Sequence, residues 1–110
     1  MATLSSKVLH GTLDMLILKA LCHGSMHGYG VARRLKQLSF DALKVEEGSL
    51  YPALFRLEQQ GHVKSDWGIS DNNQKARYYA LTRSGRKQLE AEADNWQKLS
   101  MAVTLILQST

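Results

Sequence analysis

The spacing of hydrophobic positions changes period along this chain, and each change predicts an element. Leu13, Leu16, Ile17, Ala20 and Leu21 recur at three- and four-residue intervals, the stripe of a helix that buries one face and ends near His23. Thr12 is placed to cap its start, and Asp14 suits the positive end of the helix dipole. Gly24, Ser25, Gly28 and Gly30 then break the pattern. A second helix is predicted from about Tyr29, with Val31, Ala32, Leu35 and Leu38 on one side and Arg33, Arg34 and Lys36 elsewhere. Leu43, Lys44 and Val45 alternate over a span long enough only for a stub of strand.

The stretch EGSLYPALFRLEQQG, Glu47 to Gly61, is the segment around which the rest is organised. Leu50, Leu54 and Leu57 form an apolar stripe, while Pro52, Phe55, Arg56 and Gln59 fall on the opposite face. Proline has no N–H to give and is tolerated in a first turn, so the helix is expected to begin near Gly48 or Ser49 and to close at Gly61. Ser49, Tyr51 and Pro52 then lie at its tip. Free backbone N–H groups and a positive dipole end, beside a hydroxyl and a phenol, suit a phosphate-rich partner.

At Val63 the period becomes two. Val63, Ser65, Trp67 and Ile69 alternate with His62, Lys64, Asp66 and Gly68, as in a half-buried strand. Ser70 to Gln74 is a polar turn, and Lys75 to Thr82 reads as the returning strand of a hairpin whose tip is flanked by Lys64, Lys75 and Arg77. Adjacent Tyr78 and Tyr79 must point to opposite faces, so only one can enter a core. Three short helices and a hairpin are the layout of a winged helix-turn-helix. From about Arg83 the chain is helical to its end. Leu89, Trp96 and Val103 are spaced by sevens, and Leu99 and Ile106 lie three after the latter two, which makes a seam for another helix. Such a helix, about 36 Å long, is too long for so small a domain to cover. A homodimer through Leu89, Trp96, Leu99, Val103 and Ile106 is therefore expected. The fold class is mainly α with a small β-hairpin wing: a winged helix-turn-helix over residues 1–82 and a C-terminal dimerisation helix over residues 83–110. Residues 1–11 are expected to form a partly mobile lead in which Val8 and Leu9 can pack on a neighbour.

Composition narrows the function. A chain of 110 residues makes one domain, with 44% hydrophobic and 22% charged residues as in ordinary folded proteins. The longest apolar run, Met15 to Leu18, is far short of a membrane span and the N-terminus lacks signal-peptide order, so a cytoplasmic protein is expected. The net charge of +4 favours a polyanion. Its distribution matters more: from Gly28 to Arg83 nine Lys/Arg face six Asp/Glu, against three and three from Ser84 onward. The excess lies where the candidate reading helix lies. Cys22, the single cysteine, excludes an internal disulfide. Cys22, His23 and His27, with His10 and His62, are ligand types for zinc, but a small thiol beside an apolar stripe reads as core, and no metal or cofactor is expected. No nucleophile and base pair, phosphate loop or paired carboxylates suggest an enzyme.

Four segments, GTLDMLILKAL from Gly11, HGYG from His27, EGSLYPALFRLEQQG from Glu47 and ARYYALTRSG from Ala76, precede a tryptophan-bearing last helix. In this order and spacing they resemble the PadR family of bacterial transcriptional regulators, in its small subfamily with one C-terminal helix. The resemblance covers nearly the whole chain. It implies a dimeric repressor of a roughly palindromic duplex operator, with the third helix in the major groove and the wing over the backbone or minor groove. By position it implies DNA contacts from Ser49, Tyr51, Pro52 and Arg56, from Lys75 and Arg77 with Lys64 on the wing, and from Tyr29 and Gly30 at the tip of the second helix. Phe55 departs from the polar or basic residue that relatives generally carry; it either meets a thymine methyl or folds back on the domain. In some relatives a tryptophan on the last helix lines a cavity between subunits and sandwiches flat aromatic compounds. Trp96 thus either fills an interface or binds a small aromatic effector, and the second case implies relief of repression, or a multidrug or phenolic-compound sensor. A winged helix used only for protein contact predicts an acidic or apolar wing, against Lys75 and Arg77.

Overall fold

The computed structural model describes residues 11–110, so the lead with Val8 and Leu9, and His10 as a candidate ligand, lie outside the described residues. Along the chain run α1 (Leu13–Leu21), β1 (Met26–His27), α2 (Gly28–Leu38), α3 (Glu47–Gln59), β2 (Val63–Ile69), β3 (Lys75–Leu81) and α4 (Arg83–Leu107). The predicted stripes meet in one core: Leu13, Ile17 and Leu21 of α1, Val31 and Leu35 of α2, and Leu50, Leu54 and Leu57 of α3, joined by Leu18, which the predicted stripe omitted, while Leu38 at the end of α2 stays exposed. Each buried side chain stabilises the fold by roughly 1.5–3 kcal/mol relative to exposure. Val63 and Tyr79 close the core from the sheet side. Among the described residues no helix is long and apolar enough to cross a membrane.

Several boundaries differ from the sequence expectation, each for a local reason. Helix α2 begins at Gly28 because His27 caps it, its Nδ1 accepting from the Gly30 N–H at 3.0 Å. Met26 and His27 pair antiparallel with Tyr79 and Tyr78, so the expected two-stranded hairpin gains a third strand and β3 lies in the centre. Two residues are too few to show a period, and this strand left no sequence signal. The expected strand at Leu43–Val45 is only an isolated bridge at Leu43. Phe40 and Asp41 take positive φ of 52° and 66°, and the Asp41 N–H bonds the Lys36 carbonyl at 2.8 Å. The Leu43 N–H donates to Ser39 Oγ, so the turn satisfies its own backbone and leaves little to a ladder.

Helix α3 begins at Glu47, earlier than expected, which puts Pro52 in its second turn. The proline cannot bond the Gly48 carbonyl, and both residues are exposed, where water can serve that group. Gly61 ends the helix as expected, with φ of 79°. Strands β2 and β3 pair in register from Val63↔Leu81 to Ile69↔Lys75. The half-buried alternation holds through Ser65 and then lapses: Trp67 and Ile69 are 57% and 64% exposed because the hairpin outruns the core. Of the tyrosine pair, Tyr79 is the buried one, while the Tyr78 hydroxyl donates to the Ile69 carbonyl at 3.0 Å.

Thr82 fixes the start of α4, accepting from the Gly85 N–H at 3.0 Å and donating to the Gly61 carbonyl at 2.7 Å. Helix α4 packs on α1, and Leu89 joins the core edge. Beyond it the helix carries Trp96, Leu99, Val103 and Ile106, which are between 43% and 69% exposed. A Cβ at Gly85 would collide with the His62 carbonyl and stand 2.7 Å from Leu81 Cδ1. Backbone cannot yield as a flexible side chain can. Gly85→Ala is therefore expected to destabilise the protein by about 1–3 kcal/mol, measured by urea unfolding at fixed protein concentration.

Candidate nucleic-acid interface

Because Leu50, Ala53, Leu54 and Leu57 are buried, helical periodicity leaves Tyr51, Pro52, Phe55, Arg56 and Gln59 on one exposed face of α3. Phe55 is 63% exposed and does not fold back on the domain. Tyr51 leans on the start of α2. A Cβ at Gly28 would stand 2.6 Å from Tyr51 Cε1, whereas one at Gly30 would meet only ordinary contacts of 3.4 Å or more. The close approach uses the missing side chain at Gly28, which sequence reasoning read as a break in the helical pattern and not as a contact. Tyr29 is exposed beside them, with the Arg33 guanidinium 5.8 Å from its ring centroid and the His27 ring stacked at 6.3 Å. Ser49 is partly exposed at the first turn of α3.

Arg56 is engaged: its Nη2 donates to Asp14 Oδ1 of α1 at 2.8 Å. The guanidinium side chain remains half exposed, so this pair is a surface one and contributes at most about 1 kcal/mol.

The wing is braced against α3 by a polar chain. Arg77 Nε donates to Ser65 Oγ at 2.8 Å, and Ser65 Oγ donates to Glu58 Oε2, which also lies 3.9 Å from Arg77 Nη2. Lys75 Nζ and the Arg77 guanidinium each stand 5.3 Å from the Trp67 ring centroid. Lys64 pairs with Ala80, which puts it on the opposite face of the hairpin from Lys75 and Arg77. The structure therefore joins two of the three predicted wing cations and separates the third. Tyr29, Tyr51, Trp67, Lys75 and Arg77 line one open cleft of about 410 Å³ between the helix tips and the wing.

Of the remaining candidates, His27 borders that cleft, while Trp96 and His62 lie outside its lining. Trp96, Leu99 and Glu92 of α4 border a recess of about 250 Å³ with Met15 of α1. His62 Nδ1 is 2.8 Å from Ser84 Oγ, and His27 serves as the cap of α2. Among the described residues no group of three or more His, Cys, Asp or Glu gathers to hold a metal.

The model of the transcriptional regulator PadR-like family matches residues 17–91. The fold is similar to that of a transcriptional regulator from Clostridium thermocellum, at 25% identity and TM-score 0.84, covering 93% of this chain and 99% of that one. A PadR-like transcriptional regulator from Bacillus cereus is 30% identical with TM-score 0.77, covering 94% and 99% of the two chains. A PadR family regulator from Eggerthella lenta is also 30% identical, with TM-score 0.78 over 94% and 88%.

Tyr79, between the cleft and the core, has its hydroxyl pKa raised above the usual 10.0, first by burial and then by the Glu58 carboxylate, with Arg77 opposing. The unfolded chain then loses this proton at lower pH than the folded one. The contribution is fully present below the unfolded value and is lost as pH rises through the folded value. Unfolding in urea at successive pH values is expected to show stability falling above about pH 10, by less in Tyr79→Phe than in the parent.

Proposed function

The chain belongs to the PadR-like family of transcriptional regulators, and on that premise we propose that it is a cytoplasmic, homodimeric repressor of a roughly palindromic operator. It is a DNA-binding regulator and not an enzyme. The observation that carries the proposal is the exposed face of α3 standing beside a wing that presents Lys75 and Arg77. Two copies of α3 enter successive major grooves about 34–36 Å apart. Ser49, Tyr51 and Pro52 lead, Phe55 is free to meet a thymine methyl, and Tyr29 and Gly30 approach phosphate. Lys64, on the outer face of the wing, adds to the positive field.

Arg56 must leave Asp14 to read a base. The exchange is favourable in magnitude, because an exposed ion pair gives about 0–1 kcal/mol and a bidentate contact to guanine about 1–3 kcal/mol. The subunits join through the exposed apolar positions of α4, Trp96, Leu99, Val103 and Ile106, continuing from Leu89. Repression follows from occlusion of the promoter. Relief follows from a small aromatic effector that changes the angle between subunits, since groove spacing is set by the duplex. A second reading, a sensor of drugs or phenolic compounds, is favoured by Trp96, which is 45% exposed beside the recess at Glu92 and Leu99.

Labelled DNA from upstream of the gene, compared with scrambled DNA across a salt series, tests the reading. Arg56→Ala is expected to cost about 1–3 kcal/mol on the preferred duplex, and Lys75→Ala to lower the slope of log K against log salt by about 1. Equal, weak binding of both DNAs would sink the proposal. Light scattering is expected to show a dimer for the parent and a monomer for Val103→Glu at the same concentration; a monomeric parent would remove the dimer.

A further inference from the structure

The exposed end of the wing holds a side chain that the contacts assigned so far leave unused. Trp67 is 57% exposed, yet Lys75 and Arg77 both converge on its ring at 5.3 Å. Two like charges beside one ring repel each other, and the ring's negative face offsets part of that repulsion. The register places Trp67 opposite Arg77 and Ile69 opposite Lys75, so the two apolar and two cationic side chains share one face of the hairpin. That face opens into the same cleft as Tyr51 of α3. The brace from Arg77 through Ser65 to Glu58 holds it at a set distance from the reading helix.

We propose that Trp67 is a specificity-determining DNA contact: an exposed indole plate, with two cations beside it, that packs on the sugar and base-edge wall of the groove beside the one α3 enters. This rests on the DNA-binding reading above and assigns it a further residue. Duplex DNA matches both halves of the patch, with phosphates for Lys75 and Arg77 and flat, weakly polar sugar and base edges for the indole. An uncharged plate of fixed size responds to groove width, and width varies with base sequence. Trp67 therefore confers base preference at positions flanking those read by α3, without hydrogen-bonding a base.

The test uses duplexes that the protein enriches from a randomised pool. Trp67→Ala is expected to bind the enriched duplex roughly tenfold more weakly, with flattened preference at the flanking positions and retained preference at the central ones. Its salt slope is expected to match the parent's, because the lost contact carries no charge, whereas Lys75→Ala lowers that slope. The indole signal removed by Trp67→Phe should be shielded from acrylamide in the parent when the duplex saturates it. This measurement stands even if the alanine variant folds poorly. Unchanged affinity and flank preference in Trp67→Ala, or an unshielded Trp67 signal, would overturn the assignment while leaving the repressor reading intact. Equal shielding by single-stranded DNA of the same composition would also overturn it, by assigning the ring to base stacking. A pool from which the parent enriches nothing would overturn both.

Discussion

Everything at the proposed DNA face hangs on the burial of one side of α3. Leu50, Ala53, Leu54 and Leu57 are no more than 1% exposed and are packed among residues of α1 and α2. Burial at about 1.5–3 kcal/mol for each leucine far exceeds the contribution of any polar contact on the helix. Rotating α3 by even a fraction of a turn would expose this stripe. Tyr51, Phe55 and Arg56 are thereby aimed outward by the core and not by their own bonds. The Arg56–Asp14 pair adds little energy and is free to serve as a replaceable contact.

The placement of the helix tips and of the wing depends on two close approaches. At Gly28 the absence of a side chain lets the Tyr51 ring rest against the start of α2. At the other side Glu58, Ser65 and Arg77 connect the outer part of α3 to the hairpin, while Tyr79 anchors the central strand in the core. The short strand β1 pairs with that same central strand and leads directly into the His27 cap of α2. Helix tip and wing therefore share one sheet, so a displacement of either is felt by the other.

Helix α4 solves a different problem. Its first turn is pinned by Thr82 and Gly85, and its middle packs on α1, but its outer half has no covering within its own chain among the described residues. Exposed apolar positions with a seven-residue recurrence are costly in water and are what a second helix of the same kind would cover. On the dimer proposed above, the surface that joins subunits and the core that aims α3 meet at α1, so both share one support.

Sequence alone determined the elements whose period is long enough to be read: the stripes of α1, α2, α3 and α4, the hairpin, the end of α3 at Gly61, and the family resemblance carried by HGYG and the Glu47 to Gly61 stretch. Those are local properties, because side-chain spacing and backbone preference act within a few residues. Tertiary structure alone decided that β1 exists, that Leu43–Val45 makes no strand, that Pro52 falls in a second turn, and that Lys64 parts from Lys75 and Arg77. It also decided that Arg56 meets Asp14, 42 residues away in the chain, that Gly28 admits Tyr51, and that Trp67 stands clear of the core with two cations at its ring. Each of these depends on which distant residues arrive at the same place, and a one-dimensional pattern carries no record of that.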